Sequence, residues 1–217
     1  PHAHWMSHDG HIMVTPNSNS NDSTRVDIPS GAIHAKTPTG FLPIASSMMP
    51  DASKYYVSNY VDSTISCISI GPPACRSGNA LVATKTINLL LGGTALGNYD
   101  PFTGAGFSTS GGLPIQTPVS PNGKFVVTAA TLTGTITIID TSTDELVKVL
   151  PCSAGCHGVN FGAKKGGGYY AYVGSKFSND LIVLDPDPND DGNVADAAIV
   201  GRVLLTVGEE SDAKTDD

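Results

Sequence analysis

Apolar and polar residues alternate along this chain in short runs. Thr135-Ile-Thr-Ile-Ile-Asp140 and Asp180-Leu-Ile-Val-Leu-Asp185 are two of them, rich in β-branched side chains and each closed by an Asp. Glu145-Leu-Val-Lys-Val-Leu150 is a third. A period of two over so few residues predicts strands with one face turned inward. Gly, Pro, Asn and Asp gather between the runs, which predicts tight turns and antiparallel pairing.

The pattern recurs. Pro1-His-Ala-His-Trp-Met-Ser-His-Asp9-Gly10 leads into His11-Ile-Met-Val-Thr15, and Pro43-Ile-Ala-Ser-Ser-Met-Met-Pro-Asp51-Ala52 leads into Lys54-Tyr-Tyr-Val-Ser-Asn59. Pro114-Ile-Gln-Thr-Pro-Val-Ser-Pro-Asn122-Gly123 leads into Lys124-Phe-Val-Val-Thr128, and Cys156-His157-Gly-Val-Asn-Phe-Gly precedes Gly166-Gly-Gly-Tyr-Tyr-Ala-Tyr-Val173. The units start at 1, 43, 114 and 156, two of the spacings being 42 and the middle one 71. A repeat of about 40–45 residues with four short strands is the period of a propeller blade. The sequence therefore predicts an all-β fold of about four antiparallel four-stranded blades, with bounds near 1–42, 43–113, 114–155 and 156–217. The long second unit is read as a blade with an insertion over 77–112. The insertion holds the apolar strip Ile87–Leu91 and a Gly-rich stretch from Gly92 to Gly112, expected to form a long loop over one face.

These units resemble the YVTN-type propeller repeat, which reads roughly Pro-His-Gly, then Pro-Asp-Gly, then Tyr-Val-x-Asn. Tyr56-Val57-Ser58-Asn59 and Tyr172-Val173-Gly174 carry the signature, while the first unit has Met13-Val14-Thr15-Pro16-Asn17 in its place. The resemblance implies part of a seven-bladed ring, completed by further sequence or by another chain.

Composition narrows the functions. Of 217 residues, 40% are hydrophobic and only 15% charged, with 24 Gly and 15 Pro, which suits strands and turns rather than long helices. The net charge of −8, with no basic run, argues against nucleic acid and anionic membrane surfaces. No apolar stretch approaches the roughly 18 residues of a membrane span. The chain opens on Pro1, inside a repeat, and is read as a mature or partial chain whose signal peptide, if it had one, is removed. Its four cysteines form two close pairs, Cys67/Cys75 and Cys152/Cys156. Close, even pairing favours local disulfides and hence a periplasmic or extracellular location.

Six histidines supply the candidate chemistry. His2 and His157 hold the same repeat position, on the strand expected to line the axis. His4, two residues on, shares a face with His2. His34 is placed in the linker to Pro43, over the same mouth. Four imidazoles converging there suit copper or a similar metal. His8 and His11 flank a turn and are expected in solvent. The stretch also resembles the copper propellers of nitrous oxide reductase and thiocyanate dehydrogenase. His2-Ala-His4, Asp9-Gly10, Thr24-Arg25-Val26, Ile28-Pro29 and Ala32-Ile33-His34 follow their order of segments, with His-Ala-His for His-His-x-His. That resemblance implies copper ligation by His2, His4, His34 and His157, redox turnover of a small-molecule substrate, and exchange with an electron-transfer protein. No catalytic residue is assigned.

Two further motifs remain. Cys152-Ser-Ala-Gly-Cys156-His157 is one residue longer than the C-x-x-C-H string that attaches haem, so a small disulfide loop competes with a haem c site. Asp187-Pro-Asn189-Asp-Asp191-Gly192 fits the first half of a calcium loop, with Asp185 and Asp196 as further ligands and an ordinary acidic turn as the alternative. Three functions follow: a copper oxidoreductase, a non-catalytic periplasmic or cell-surface binding propeller, and a haem-bearing electron carrier.

Overall fold

The computed structural model describes residues 1–90 and 112–205. The first blade is formed by β1 (Trp5–Met6), β2 (Ile12–Asn17), β3 (Asp22–Asp27) and β4 (Ile33–Pro38), hydrogen-bonded in that order. The second contains β5 (Pro43–Met48), β6 (Lys54–Asn59) and β7 (Thr64–Ser69). A hairpin, β8 (Cys75–Ser77) and β9 (Ala80–Val82), then precedes the outer strand β10 (Thr84–Asn88). The third has β11 (Phe125–Ala130), β12 (Thr135–Asp140) and β13 (Glu145–Pro151). The fourth runs β14 (Cys156–Ala163), β15 (Tyr169–Ser175), β16 (Asp180–Asp185) and β17 (Ala198–Leu204), with a short 3₁₀ turn at Val194–Asp196.

The repeat seen in the sequence is a repeat of register. Trp5 pairs with Val14, Ser47 with Tyr56 and Asn160 with Tyr172. A bulge after the first residue of the inner strand leaves Ile44 and His157 without a cross-strand partner. His2 and Ile115 hold that place in the other two blades, their N–H groups bonding to Pro16 O and Ala129 O. The turn into the third strand ends each time in a left-handed residue: Asn21, Ser63, Gly134 and Asn179, with φ of 55°, 55°, 57° and 53°. Asn and Gly tolerate that conformation; Ser63 adopts it at a cost.

The Asn of the signature has a structural job. Asn59 is buried, and its Nδ2 donates to Thr64 and Ser66 hydroxyls on the next strand at 2.9 Å each. Asn17 repeats this with Asp22 and Thr24, at 2.5 and 2.8 Å. Its bond holds the Asp22 carboxyl below the usual carboxylate range. The first blade thus keeps the signature Asn despite its altered lettering.

Apolar side chains fill the seams between consecutive blades. Val14 of the first meets Met48, Tyr55, Val57 and Ile68 of the second. Tyr56, Ile65 and Ile87 of the second meet Val126 and Ile139 of the third. Phe125, Val127 and Ile138 of the third meet Val173, Ile182 and Leu184 of the fourth. Alternation puts successive residues of each middle strand into opposite seams, so these strands are buried on both faces.

Three expectations need correction. The segment from 77 is not one loop: β10 is the outer strand of the second blade, and Ile87 and Leu89 of the apolar strip are core residues. The β8–β9 hairpin inserted before it, tied to β7 by the Cys67–Cys75 disulfide, obscured its place in the repeat. The rest of the Gly-rich stretch, residues 92–111, and the acidic tail Glu209–Asp217 lie outside the described residues. The inner segment of the third blade is irregular: it bridges β11 at Pro114↔Ala130 and Val119↔Val126 and bonds to it at Ile115, Gln116 and Pro118 without forming a continuous strand. Pro114 and Pro118 have no N–H for the ladder. Finally, His34 belongs to β4, the outermost strand of its blade, and not to the linker after it.

Candidate functional site

The inner segments of all four blades share one cavity of about 240 Å³. It is lined by Ala3, His4 and Trp5 from the first blade and Ala45 and Ser46 from the second. Gln116, Thr117 and Pro118 from the third and Val159 and Asn160 from the fourth complete it. Four inner strands can meet in one cavity only if the sheets are arranged radially about a common axis. A second, smaller cavity of about 140 Å³ continues it and shares Trp5, Pro118 and Asn160. Its other walls are mostly apolar, Met48, Pro50, Val119, Pro121 and Phe161, with Ser120 and His8 beside them.

Polar bonds cross between blades around the axis. Gln116 Oε1 accepts from Val159 N at 2.8 Å, and Ser47 Oγ accepts from Val119 N at 2.8 Å. Within the third blade, Thr117 and Thr128 share a hydroxyl bond of 2.7 Å. Ser46 is different. Its residue is only 6% exposed, yet its Oγ has no hydrogen-bond partner. A buried hydroxyl left unpaired costs about 1–3 kcal/mol, so its retention at the cavity wall is informative.

The predicted ligand set is divided by the structure. His4 lines the axial cavity. His2 lies nearer the open side of the first blade, where its Nδ1 is 2.7 Å from Ile44 O and it borders an open cleft with Thr15, Asn17 and Lys36. His157 is exposed at the bulge of the fourth blade. His34 stands at the outer rim beside Asp27, 4.0 Å away, in a pocket shared with His11, Arg25 and Ile70. It is thus not brought to the other three, because the outermost strand and the axis lie at opposite edges of a blade. His8 and His11 are exposed, and His8 also borders the axial channel.

The acidic loop of the fourth blade is occupied by its own chain. Both Asp185 oxygens lie 3.0 Å from Lys164 Nζ. Asp187 accepts from Asp191 N and Gly192 N and has Lys124 Nζ at 3.5 Å. Asn189 donates to Asp196 at 2.5 Å, and Asp191 accepts from Asn193 N. Lysines, backbone donors and the Asn189 amide hold most of these oxygens, while Asp196 Oδ1 is buried with no hydrogen-bond partner.

Among the described residues, one set of three His, Cys, Asp or Glu side chains has ligand atoms within 4.8 Å of one another: Cys67, Cys75 and Asp144. Cys67 and Cys75 are joined in a disulfide, as are Cys152 and Cys156, so neither pair offers a thiolate. The set is a structural clamp. Asp144, with no exposed side-chain surface, accepts from Lys54 Nζ at 2.9 Å, Tyr56 Oη at 2.5 Å and Arg76 N at 2.6 Å. Lys54 also donates to Thr141 O at 2.7 Å. The clamp ties the second blade to the β12–β13 turn of the third. Burial, and then the negative charge of Asp144, push the Tyr56 phenol far above its ordinary range, so it stays a proton donor. Sequence reading missed this cluster. Its one signal is Lys54, the single charged residue of a strand that is buried throughout.

No family model matches this chain, and no curated protein matches it. Solved structures do. The Cps50 (Swd1) β-propeller domain of Myceliophteria thermophila matches with a TM-score of 0.66 at 11% identity, over 94% of this chain and 59% of that one. The chain is a run of β-propeller blades. Hydrazine synthase of Kuenenia stuttgartiensis matches with a TM-score of 0.59 at 21% identity, over 83% and 44%. Virginiamycin B lyase of Staphylococcus aureus matches with a TM-score of 0.61 at 13% identity, over 85% and 52%. At these identities the likeness is one of fold. The chain spans about half the length of these structures.

Proposed function

We propose that the chain is part of an extracytoplasmic binding propeller whose axial cavity is its ligand site. The observation that carries this is the meeting of four inner strands around one cavity that contains a buried, unpaired hydroxyl, Ser46 Oγ. Two disulfides support a location in an oxidising compartment. Among the described residues no helix is long and apolar enough to cross a membrane. The remaining blades come from further sequence or from a partner chain. The Cys152–Cys156 disulfide leaves neither sulfur for a thioether, which weighs against a haem carrier.

A copper redox site is the second reading, favoured by the equivalent bulge positions of His2 and His157 and by His4 on the axis. The residues present do not fit the four-histidine cluster. His34 is on the outer strand, and no three histidine ligand atoms lie within 4.8 Å of one another among the described residues. No reaction step is derived through copper. Copper analysis of the chain after loading with Cu(II) and desalting separates the readings. The binding reading predicts well under one copper per chain. One or more per chain, lost in His4→Ala and retained in His34→Ala, overturns it in favour of a redox centre.

A further inference from the structure

The chemistry of the axial cavity restricts what it can hold. This step rests on the axial cavity being the binding site. Among the described residues no Asp, Glu, Lys or Arg lines it, and His4 is its one imidazole. An ionic ligand would lose its hydration there without an opposite charge to replace it. A metal ion would find one nitrogen ligand of the kind it prefers. What the cavity offers is neutral: the Ser46 and Thr117 hydroxyls, the amides of Gln116 and Asn160, and the indole of Trp5. Trp5 combines a broad apolar face with one N–H donor. Pockets that hold small organic molecules have this make-up, an apolar wall with a few placed polar groups.

We propose that the axial cavity binds one neutral sugar residue, a pyranose packed against the Trp5 indole with its hydroxyls bonded to Ser46, Gln116 and Asn160. A pyranose has an apolar C–H face and a rim of hydroxyls that both donate and accept. It can therefore satisfy Ser46 Oγ whichever role that oxygen takes. The size agrees: about 240 Å³ has room for roughly eight waters at about 30 Å³ each, enough for one ring. The continuing apolar cavity, walled by Met48, Pro50 and Phe161, lies where the substituent on the ring would project.

Trp5 is the single tryptophan of the chain and lines both the axial cavity and its continuation, so its emission reports on this region. The test is a fluorescence titration with the methyl glycosides of D-glucose, D-galactose, D-mannose and N-acetyl-D-glucosamine, with inorganic phosphate as the charged comparator. At least one glycoside gives a saturable change, and phosphate gives none. Ser46→Ala weakens the binding about tenfold, as loss of a hydrogen bond worth up to about 1.5 kcal/mol implies, while its thermal midpoint is unchanged or higher because an unpaired buried hydroxyl has gone. Gln116→Ala also weakens it, and the loss of its bond to Val159 N is read separately as a lower thermal midpoint. No saturable response to any glycoside, or equal affinity in wild type, Ser46→Ala and Gln116→Ala, overturns the proposal. A response to phosphate alone overturns the sugar assignment and leaves the axial cavity as a binding site of other chemistry.

Discussion

Asp144→Ala is expected to lower the unfolding free energy by about 3–5 kcal/mol, the usual cost of breaking a buried ion pair from one side. The reason is what remains. Lys54, its side chain 6% exposed, keeps a charge with Thr141 O as its partner, and Tyr56 and Arg76 N lose their acceptor. The effect also crosses the molecule, because Lys54 and Asp144 belong to different blades 90 residues apart in sequence. Urea denaturation followed both by far-ultraviolet circular dichroism and by Trp5 emission measures it. Both midpoints fall together, although Trp5 is in the first blade. A loss below about 1 kcal/mol, the scale of a surface ion pair, would show that the clamp is solvated.

Phe125→Ala is expected to cost a similar amount, about 3–5 kcal/mol. Phe125 is 1% exposed, packs at 6.1 Å between ring centres against Phe161, and sits among Val127, Ile138, Val173 and Leu184 in the seam of the third and fourth blades. Truncation leaves a cavity whose walls are β-strands on both sides, held by ladders that cannot collapse into it. Phe125→Leu keeps most of the volume and is expected to cost less than about 1.5 kcal/mol. The same denaturation curves check both. Equal, small losses for Ala and Leu would mean that the two blades do not pack through this seam.

The blades were legible because register is local. The spacing of Pro43, Asp51 and Asn59 fixes a turn and a hairpin within one blade, and these residues are where the repeat says. Both disulfides were legible for the same reason, each closing a loop of a few residues. What failed were inferences across blades. His34 was placed by its distance from Pro43, but its position is set by the register of β4 on β3, and that register carries it to the outer rim. The clamp on Asp144 and the cavity at Ser46 join side chains from separate units, and nothing near Ser46 in the chain distinguishes it from Ser47. The third inner strand was legible as a strand position, while its prolines predict that the ladder there is incomplete.

The central claim is that the first and fourth blades face each other across a single axis. Bimane attached at Asn160→Cys tests it, since the native cysteines are paired and the chain has one tryptophan. Trp5 and Asn160 line the same two cavities, so the account predicts strong contact quenching of bimane by Trp5, relieved in Trp5→Phe. Bimane emission that is the same with and without Trp5 would contradict it, and the blades would not share an axis.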